Sequence, residues 1–259
     1  MDYLTEGKGT LKDISKNADY MVCALFRGKR NYGQVQKYIN KFIMERRENQ
    51  FLGLEDVGYL RDEREEEALF NAHPVYASLT WNYENELAGG CYTDIGLKKE
   101  GACAVEHLIR RGIYIDCAHL SRSAFKSVLD ITDKVVNSHT CSNAIFRHPR
   151  NIEDWQAKEI AQRGGLIGVT FVRAFLALAR GTVHDVFAHI DHFVQICGID
   201  HVCIGSDFYG TKDLPENLTN YRDVGELESF ACKAGYDKES QQKIFYKNLQ
   251  NFLLKNTEA

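Results

Sequence analysis

The sequence predicts an α/β fold, a TIM-type (β/α) barrel, because apolar runs alternate with helix-length segments along nearly all of its 259 residues. Seven of the apolar runs are short enough to be strands, and the segments between them carry apolar residues at helical spacing. A closed barrel of this type has one strand more, and nothing before Tyr20 resembles a strand. We therefore expect a single barrel domain over residues 1–259 with its first strand absent or truncated.

The first part of the chain alternates three strands with three helices. Its strands are continuous apolar runs, as expected when helices cover both faces of a parallel sheet. Its helices place apolar residues three and four positions apart, or carry a charged surface pattern. In chain order, the predicted elements are the strand Tyr20–Phe26, the helix Gln34–Glu48, the strand Gln50–Glu55, the helix Asp62–Asn71, the strand Pro74–Trp81 and the helix Lys98–Arg111.

A βαβ unit follows in the segment Gly112–Thr140. The runs Ile113–Cys117 and Val135–Val136 are its strands, and Ser121 is a suitable N-cap for the helix between them. Each strand is soon followed by a histidine, His119 or His139. Because the strands of a right-handed βαβ unit are parallel, we expect both histidines at the same edge of the sheet.

The last part of the chain continues the alternation and ends in two helices. Its helices show the same apolar spacing, most clearly in Val183–Cys197. The predicted elements are the helix Ile152–Arg163, the strand Leu166–Phe171, the helix Val183–Cys197, the strand His201–Gly205 and the helices Val224–Ala234 and Lys238–Leu254.

Composition excludes several classes of protein. A net charge of −4 offers no basic surface for nucleic acid, and no apolar window is long enough to span a bilayer. The eight cysteines form no CxxC pair and several lie in apolar surroundings, which is typical of buried thiols in a reducing compartment. The start of the sequence lacks the features of a signal peptide, so we expect a cytoplasmic protein.

Four strands are followed by, or end in, side chains that can bind or orient a metal ion: Glu55, His119, His139 and Asp207. Zinc prefers imidazole nitrogen and carboxylate oxygen, and a hydrolytic zinc site keeps one position open for water. A single histidine after a strand is more often a structural residue than a ligand. Four such groups at the same edge of one sheet favour a metal site.

Other polar residues have weaker functional interpretations. Arg150, on the exposed loop after His139, could bind a carboxylate or phosphate, but its position alone favours an ordinary surface arginine. His189 and His192 lie on one predicted helix, where we favour a structural role. No glycine cluster matches a phosphate-binding motif, so the sequence implies no nucleotide.

Several motifs resemble the membrane (renal) dipeptidase family of zinc metallopeptidases. They are, in chain order, LGLEDVGYL, SLTWNYENELAGG, GIYIDCAHLS, VVNSHTCSNAIFRHPRN, HIDHF and IGSDFYG, and the resemblance covers the chain from about Tyr20 to the C-terminal helices. The resemblance implies a metallo-dependent hydrolase barrel that binds two zinc ions bridged by a glutamate. It implies a zinc-dependent dipeptidase that uses a metal-activated water on a dipeptide substrate, and it leaves open a homodimer.

The resemblance also implies a role for each candidate residue. Glu55 corresponds to the glutamate that bridges the two metals, and His119 and His139 correspond to the ligands of the second zinc. Asp207 corresponds to the catalytic acid and base, and Arg150 to the residue that binds the substrate carboxylate.

Two positions depart from the family pattern. The family's first strand ends in His-x-Asp, which supplies further ligands of the first zinc, whereas the first histidine of this chain is His73. Trp81 stands where mammalian members have a histidine that contacts substrate. The first departure puts activity in question and allows for only one zinc.

Two alternatives to the dipeptidase therefore remain. The first is a catalytically impaired or non-catalytic homologue that binds one zinc through Glu55, His119 and His139 and acts only in binding. The second is a related barrel hydrolase acting on phosphoesters or cyclic amides, which predicts different substrate anchors and no LTWN-type loop.

Overall fold

The computed structural model describes residues 20–28, 32–58, 67, 69–178 and 181–257. These residues form two compact units, the first over residues 21–136 and the second over residues 137–257 with Tyr20. The predicted helix Asp62–Asn71 and the segment before Tyr20 lie largely or wholly outside the described residues. The absence of a first strand therefore stays a prediction.

The first unit contains parallel strands that pair in the order in which they occur in the chain. They are β1 (Met21–Phe26), β2 (Gln50–Glu55), β3 (Tyr76–Ser78), β4 (Tyr114–Asp116) and the start of β5 (Val135–Thr140). Phe26 is paired with Glu55, and Asp116 with Val136. The described helices of this unit are α1 (Tyr32–Glu45), α2 (Lys99–Arg110) and α3 (Arg122–Leu129).

Burial explains why these segments adopt their structures. All six residues of β2 are buried, as the continuous apolar run predicted. Helix α2 buries Val105 and Leu108 on one face. Helix α3 begins as predicted, because the hydroxyl of Ser121 accepts a hydrogen bond from the amide of Ala124 at 3.0 Å. The elements with the clearest sequence signals therefore form the core of the unit.

The second unit contains the rest of β5 and two further parallel strands, β6 (Ile167–Val169) and β7 (Val202–Ile204). Its helices are α4 (Asp154–Gln162), α5 (Arg173–Leu176), α6 (Val183–Cys197), α7 (Val224–Lys233), α8 (Lys238–Gln242) and α9 (Asn248–Thr257). A π-helical turn, Lys243–Lys247, joins α8 to α9, so the long helix predicted over Lys238–Leu254 is interrupted in its hydrogen-bond pattern.

Strand β5 contains a bulge. Asn137 is paired with Ile167 and Thr140 with Val169, so three steps along β5 match two along β6. A Cβ atom on Gly168 or on Gly205 would clash with the carbonyl oxygen of Ser138. Both glycines therefore make room for the bulged backbone just before His139.

The structure confirms the predicted alternation of parallel strands and helices. Strand β5 is longer than predicted, so His139 lies near its end instead of beyond it. The prediction followed apolar residues only, whereas the polar end of β5 is held by backbone hydrogen bonds, such as the one from the amide of Asn137 to the carbonyl of Leu166. Among the described helices, none is both long and apolar enough to cross a membrane.

Candidate metal centre and substrate site

Glu55 and His119 form a buried pair in the first unit. Glu55 is the last residue of β2, and His119 follows β4 by three residues, on the far side of β3. Nε2 of His119 lies 3.0 Å from Oε1 of Glu55, and their side chains are only 6% and 11% exposed. An imidazole and a carboxylate that face each other away from water are suitable donors for a divalent metal ion.

The other side of the His119 ring is held by the loop after β3. Nδ1 of His119 lies 2.8 Å from Oδ1 of Asn82. The Trp81 ring lies 6.0 Å from the imidazole and also contacts the Phe26 ring at 5.4 Å. The imidazole is therefore fixed by polar contacts at both nitrogens and by an aromatic neighbour.

Asp56, the residue directly after β2, belongs to a buried polar network. Its amide donates to the hydroxyl of Ser78 at 3.1 Å, and its carboxylate accepts a hydrogen bond from Nδ2 of Asn85 at 2.9 Å. Burial raises the pKa of Asp56 above its ordinary value, although the hydrogen bond from Asn85 and the charge of Arg27 oppose that rise. The network holds the backbone that follows Glu55.

Left-handed backbone is concentrated around the candidate residues. Among the described residues, five that are not glycine have a positive φ, and they include Asp56 at 61°, His119 at 68° and Asp207 at 57°. Such a conformation costs a residue with a side chain about 1–2 kcal/mol. It often marks functional positions, where the surrounding structure maintains the strain.

In the second unit, His139 is adjacent to two polar groups. Its Nδ1 lies 2.7 Å from the hydroxyl of Ser138, and its carbonyl accepts a hydrogen bond from Nη2 of Arg150 at 3.1 Å. The bulge in β5 falls at this point of the strand. Two candidate residues of this unit, His139 and Arg150, are therefore in contact.

Arg150 is buried, which corrects the expectation of an exposed loop residue. It is only 3% exposed, and its guanidinium lies over the Phe175 ring at 5.4 Å from the centroid. The buried Nε atom makes no hydrogen bond, and no carboxylate of the described residues pairs with the guanidinium. The loop after β5 packs inward here because Thr140 Oγ1 donates to the Arg150 carbonyl at 3.0 Å.

Asp207 lies three residues after β7 in the same unit. The carboxylate oxygen Oδ1 is so near Gly210 that a Cβ atom there would clash with it. The amide of Gly210 also donates to the carbonyl of Asp207 at 3.1 Å. A tight turn therefore places this partly exposed carboxylate after the strand.

The histidine pair in HIDH has structural partners, as we favoured. His189 is fully buried, accepts a hydrogen bond from the Ser142 amide at Nδ1 and donates from Nε2 to the Leu176 carbonyl. His192 contacts Asp154 at 2.8 Å instead. The two rings thus do not form a common metal site.

Within its units, the structure pairs Glu55 with His119 and His139 with Arg150. Sequence reasoning missed Asn82, although the LTWN motif that contains it had been noted. The available signal was an amide side chain directly after the predicted third strand, opposite a histidine that follows the neighbouring strand, β4. Without the fold, that signal does not distinguish Asn82 from the other polar residues of the loop.

Comparison with known proteins identifies the family. A family model described as membrane dipeptidase, peptidase family M19, matches residues 40–258. The chain belongs to the membrane dipeptidase family. This membership confirms the resemblance found in the sequence motifs.

Two curated relatives are each 30% identical to the chain over the matched residues. One is an uncharacterised dipeptidase of Schizosaccharomyces pombe, matched over 61% of this chain and 40% of its own length. The other is an uncharacterised protein from the pqqA 5′ region of Klebsiella pneumoniae, matched over 65% of this chain and 67% of its own length. The chain thus spans less than half of the Schizosaccharomyces pombe protein.

Solved structures confirm the predicted fold class, a TIM-type α/β fold. A metallopeptidase from Rhodobacter sphaeroides, bound to a phosphinate mimic of the dipeptide L-Ala-D-Ala, has a TM-score of 0.75 and 22% identity, over 94% of this chain and 71% of its own. An amidohydrolase from Pseudomonas aeruginosa has a TM-score of 0.74 and 23% identity, over 96% and 82% of the two chains.

Proposed function

We propose that the chain is a zinc-dependent dipeptidase that hydrolyses the peptide bond of a dipeptide. The observation that carries the proposal is the buried contact of 3.0 Å between Nε2 of His119 and Oε1 of Glu55. Membership of the membrane dipeptidase family agrees with it. The dipeptide mimic bound by the Rhodobacter sphaeroides relative supports a dipeptide as the substrate.

Glu55, His119 and His139 would hold the metal. Strand β4 pairs in parallel with the start of β5 through Asp116 and Val136. His119 and His139 each come three residues after one member of that pair. Nitrogen and oxygen donors of this kind fit zinc. A bound divalent ion would supply Lewis acidity toward the substrate carbonyl and favour ionisation of a water molecule.

Arg150 and Asp207 would act on the substrate. Arg150 is a buried cation without an anionic partner among the described residues, and a substrate carboxylate would compensate that charge. Asp207 would accept a proton from the attacking water and return it to the leaving amine. The expectations of a cytoplasmic location and a homodimer stay predictions.

The test combines metal content with turnover in the purified chain. We expect zinc to co-purify or to bind on addition, and dipeptides to be hydrolysed in its presence. His119→Gln should lose zinc, whereas Asp207→Asn should keep zinc and lose turnover. His192→Gln serves as the matched control, because the same change on α6 should leave both unaffected.

Three outcomes separate the alternatives. One or two metal ions per chain with turnover support the dipeptidase. One ion without turnover supports the non-catalytic homologue that only binds. Hydrolysis of a phosphoester or a cyclic amide in place of dipeptides would overturn the assignment of the substrate.

A further inference from the structure

The imidazole of His119 lies between two hydrogen-bond acceptors. Oε1 of Glu55 is 3.0 Å from Nε2, and Oδ1 of Asn82 is 2.8 Å from Nδ1. A neutral imidazole carries one proton, so it can donate to only one of these oxygens. Whichever nitrogen lacks the proton presents its lone pair to the other oxygen, which is unfavourable unless a cation lies between them.

Contacts on Asn82 indicate which way its amide points. The thiol of Cys91 lies 3.7 Å from the same Oδ1 atom and 3.9 Å from the Asn82 carbonyl oxygen, as a weak donor to both. An amide turned by 180° would place its NH₂ group against that thiol. With its oxygen toward Nδ1 of His119, Asn82 favours a proton on that nitrogen, whereas the carboxylate of Glu55 competes for the proton until a cation lies beside Nε2.

The backbone around Asn82 is tied to the backbone of His119. The amide of Tyr92 donates to the Asn82 carbonyl at 3.1 Å, and the amide of Cys91 donates to the His119 carbonyl at 2.7 Å. Gly90 allows this close approach, because a Cβ atom there would clash with the backbone of residues 81 and 82. The loop thus holds the amide and the imidazole in one small network.

We propose that Asn82 is a positioning residue that keeps the proton of His119 on Nδ1 and thereby directs the Nε2 lone pair toward Glu55, where the metal would bind. This inference rests on the proposed function and adds a specific determinant of metal affinity. His139 has a different partner, since the Ser138 hydroxyl at 2.7 Å from its Nδ1 can donate or accept. The fixed tautomer is therefore a property of His119.

Asn82→Leu and Asn82→Asp test the inference through zinc affinity, measured by competition with a chromophoric chelator. Leucine removes the acceptor, and loss of an outer-shell partner of this kind costs about 10–100-fold in metal affinity. Aspartate keeps an acceptor oxygen, so Asn82→Asp should stay within about threefold of the wild type. Asn40→Leu, the same change on the exposed face of α1, is the matched control and should not alter zinc affinity.

A second readout is independent of activity and of metal. Side-chain ¹⁵N NMR of the metal-free chain should show a larger fraction of His119 protonated at Nδ1 in the wild type and in Asn82→Asp than in Asn82→Leu, because only leucine removes the acceptor beside that nitrogen. Thermal unfolding without zinc verifies that each variant is folded. If Asn82→Leu does not fold, an Asn82→Asp variant that loses zinc affinity by tenfold or more overturns the inference.

The outcomes distinguish this inference from the proposed function. Unchanged zinc affinity and an unchanged tautomer in folded Asn82→Leu overturn the role of Asn82 and leave the dipeptidase proposal intact. A wild-type chain that binds no zinc overturns the proposed function, and this inference with it. Weaker zinc binding in Asn82→Leu, with recovery in Asn82→Asp, supports both.

Discussion

Arg150 is a buried cation whose unfavourable burial is not compensated by an anion among the described residues. Its guanidinium is buried, contacts the Phe175 ring and donates to the His139 carbonyl, but it faces no carboxylate of the described residues. A buried charge without a counter-charge is unfavourable by several kcal/mol relative to one that is paired. A substrate carboxylate is the partner that the proposed function supplies.

Arg150→Met is expected to separate binding from stability. Hydrogen bonds to charged groups contribute about 1.5–3 kcal/mol, so KM for a dipeptide should rise at least about tenfold. The free energy of unfolding should stay unchanged or rise, because removal of the uncompensated buried charge offsets the lost hydrogen bond to the His139 carbonyl. Steady-state kinetics and urea denaturation measure the two effects, and an unchanged KM would contradict the assigned role.

His189 predicts how stability depends on pH. Burial lowers its pKa below the ordinary value of 6.5, and its Nδ1 accepts the Ser142 amide hydrogen, so a proton there would break that bond. The stability contributed by the neutral ring is complete above pH 6.5 and is lost as the pH falls through the folded pKa. We expect urea denaturation between about pH 7 and 5 to show a shallower loss of stability in His189→Gln.

Some slope should remain in His189→Gln. Burial and the neighbouring Arg150 also lower the pKa of His148, which adds a second group with the same sign. A variant with the full wild-type slope would show that protonation of His189 does not limit stability at low pH.

Individual site residues were predictable where they follow an apolar run. Glu55 and His119 were recognised this way, because the end of a parallel strand is a common position for chemistry. Asn82 was not recognised, since its partner is 37 residues away along the chain. The burial of Arg150 was also unpredictable, because it depends on how the loop after β5 packs.

Among the elements, β5 has the least regular strand geometry. Its bulge brings the Ser138 carbonyl oxygen against two glycines, Gly168 on β6 and Gly205 directly after β7. Any side chain at either glycine must displace the backbone that leads into His139. The backbone of β5, which carries His139, thus depends on glycine at positions 168 and 205.

Gly168→Ala is expected to destabilise the chain by about 1–3 kcal/mol, the usual cost of forcing extra atoms into a packed core. Gly225→Ala is the matched control in α7, where nothing lies near the added methyl group. It should stabilise the chain by about 0.4–1 kcal/mol. Chemical denaturation of both variants measures the difference, and equal effects would argue against the clash.

The sequence pattern predicted elements better than their irregularities. Each of the seven predicted strands is present, because a continuous apolar run is buried on both faces when it forms a strand in a helix-covered parallel sheet. The bulge in β5 and the π-helical turn Lys243–Lys247 were not predicted. Both depend on backbone hydrogen bonds between positions whose side chains carry no distinguishing signal.

At the scale of the whole molecule, the eight cysteines are all free thiols. Four are buried and two, Cys103 and Cys232, are exposed. Burial raises the pKa of Cys23 and of Cys203 to about 12, so these thiols are protonated as well as inaccessible. Reactivity toward alkylating agents should therefore report on global unfolding.

Alkylation with iodoacetamide is expected to modify Cys103 and Cys232 in the native chain. The buried cysteines should react only after denaturation, because the thiolate is the reactive species and water does not reach them. These are Cys23, Cys117, Cys141 and Cys203. Peptide mass spectrometry before and after denaturation provides the measurement, and rapid native labelling of Cys203 would contradict the packing of β7.

Fold class was the most predictable property of the molecule. Alternation of strands and helices is repeated over the chain, so an error at one element does not change the class. The family was equally accessible, because its motifs extend from the LGLEDVGYL segment to the IGSDFYG segment. Pairing of specific side chains, by contrast, required coordinates.

The left-handed backbone at His119 and Asp207 lowers the stability of the fold, whereas the proposed chemistry requires the side chains at these two positions. Glycine at either position would relieve about 1–2 kcal/mol of conformational strain, while removing the imidazole or the carboxylate. Directed evolution for heat resistance alone should therefore select glycine at position 207, whose side chain is partly exposed, but not at position 119, where glycine would leave the buried carboxylate of Glu55 without its imidazole partner. Selection for dipeptide turnover should retain histidine and aspartate there, at the expense of thermal tolerance.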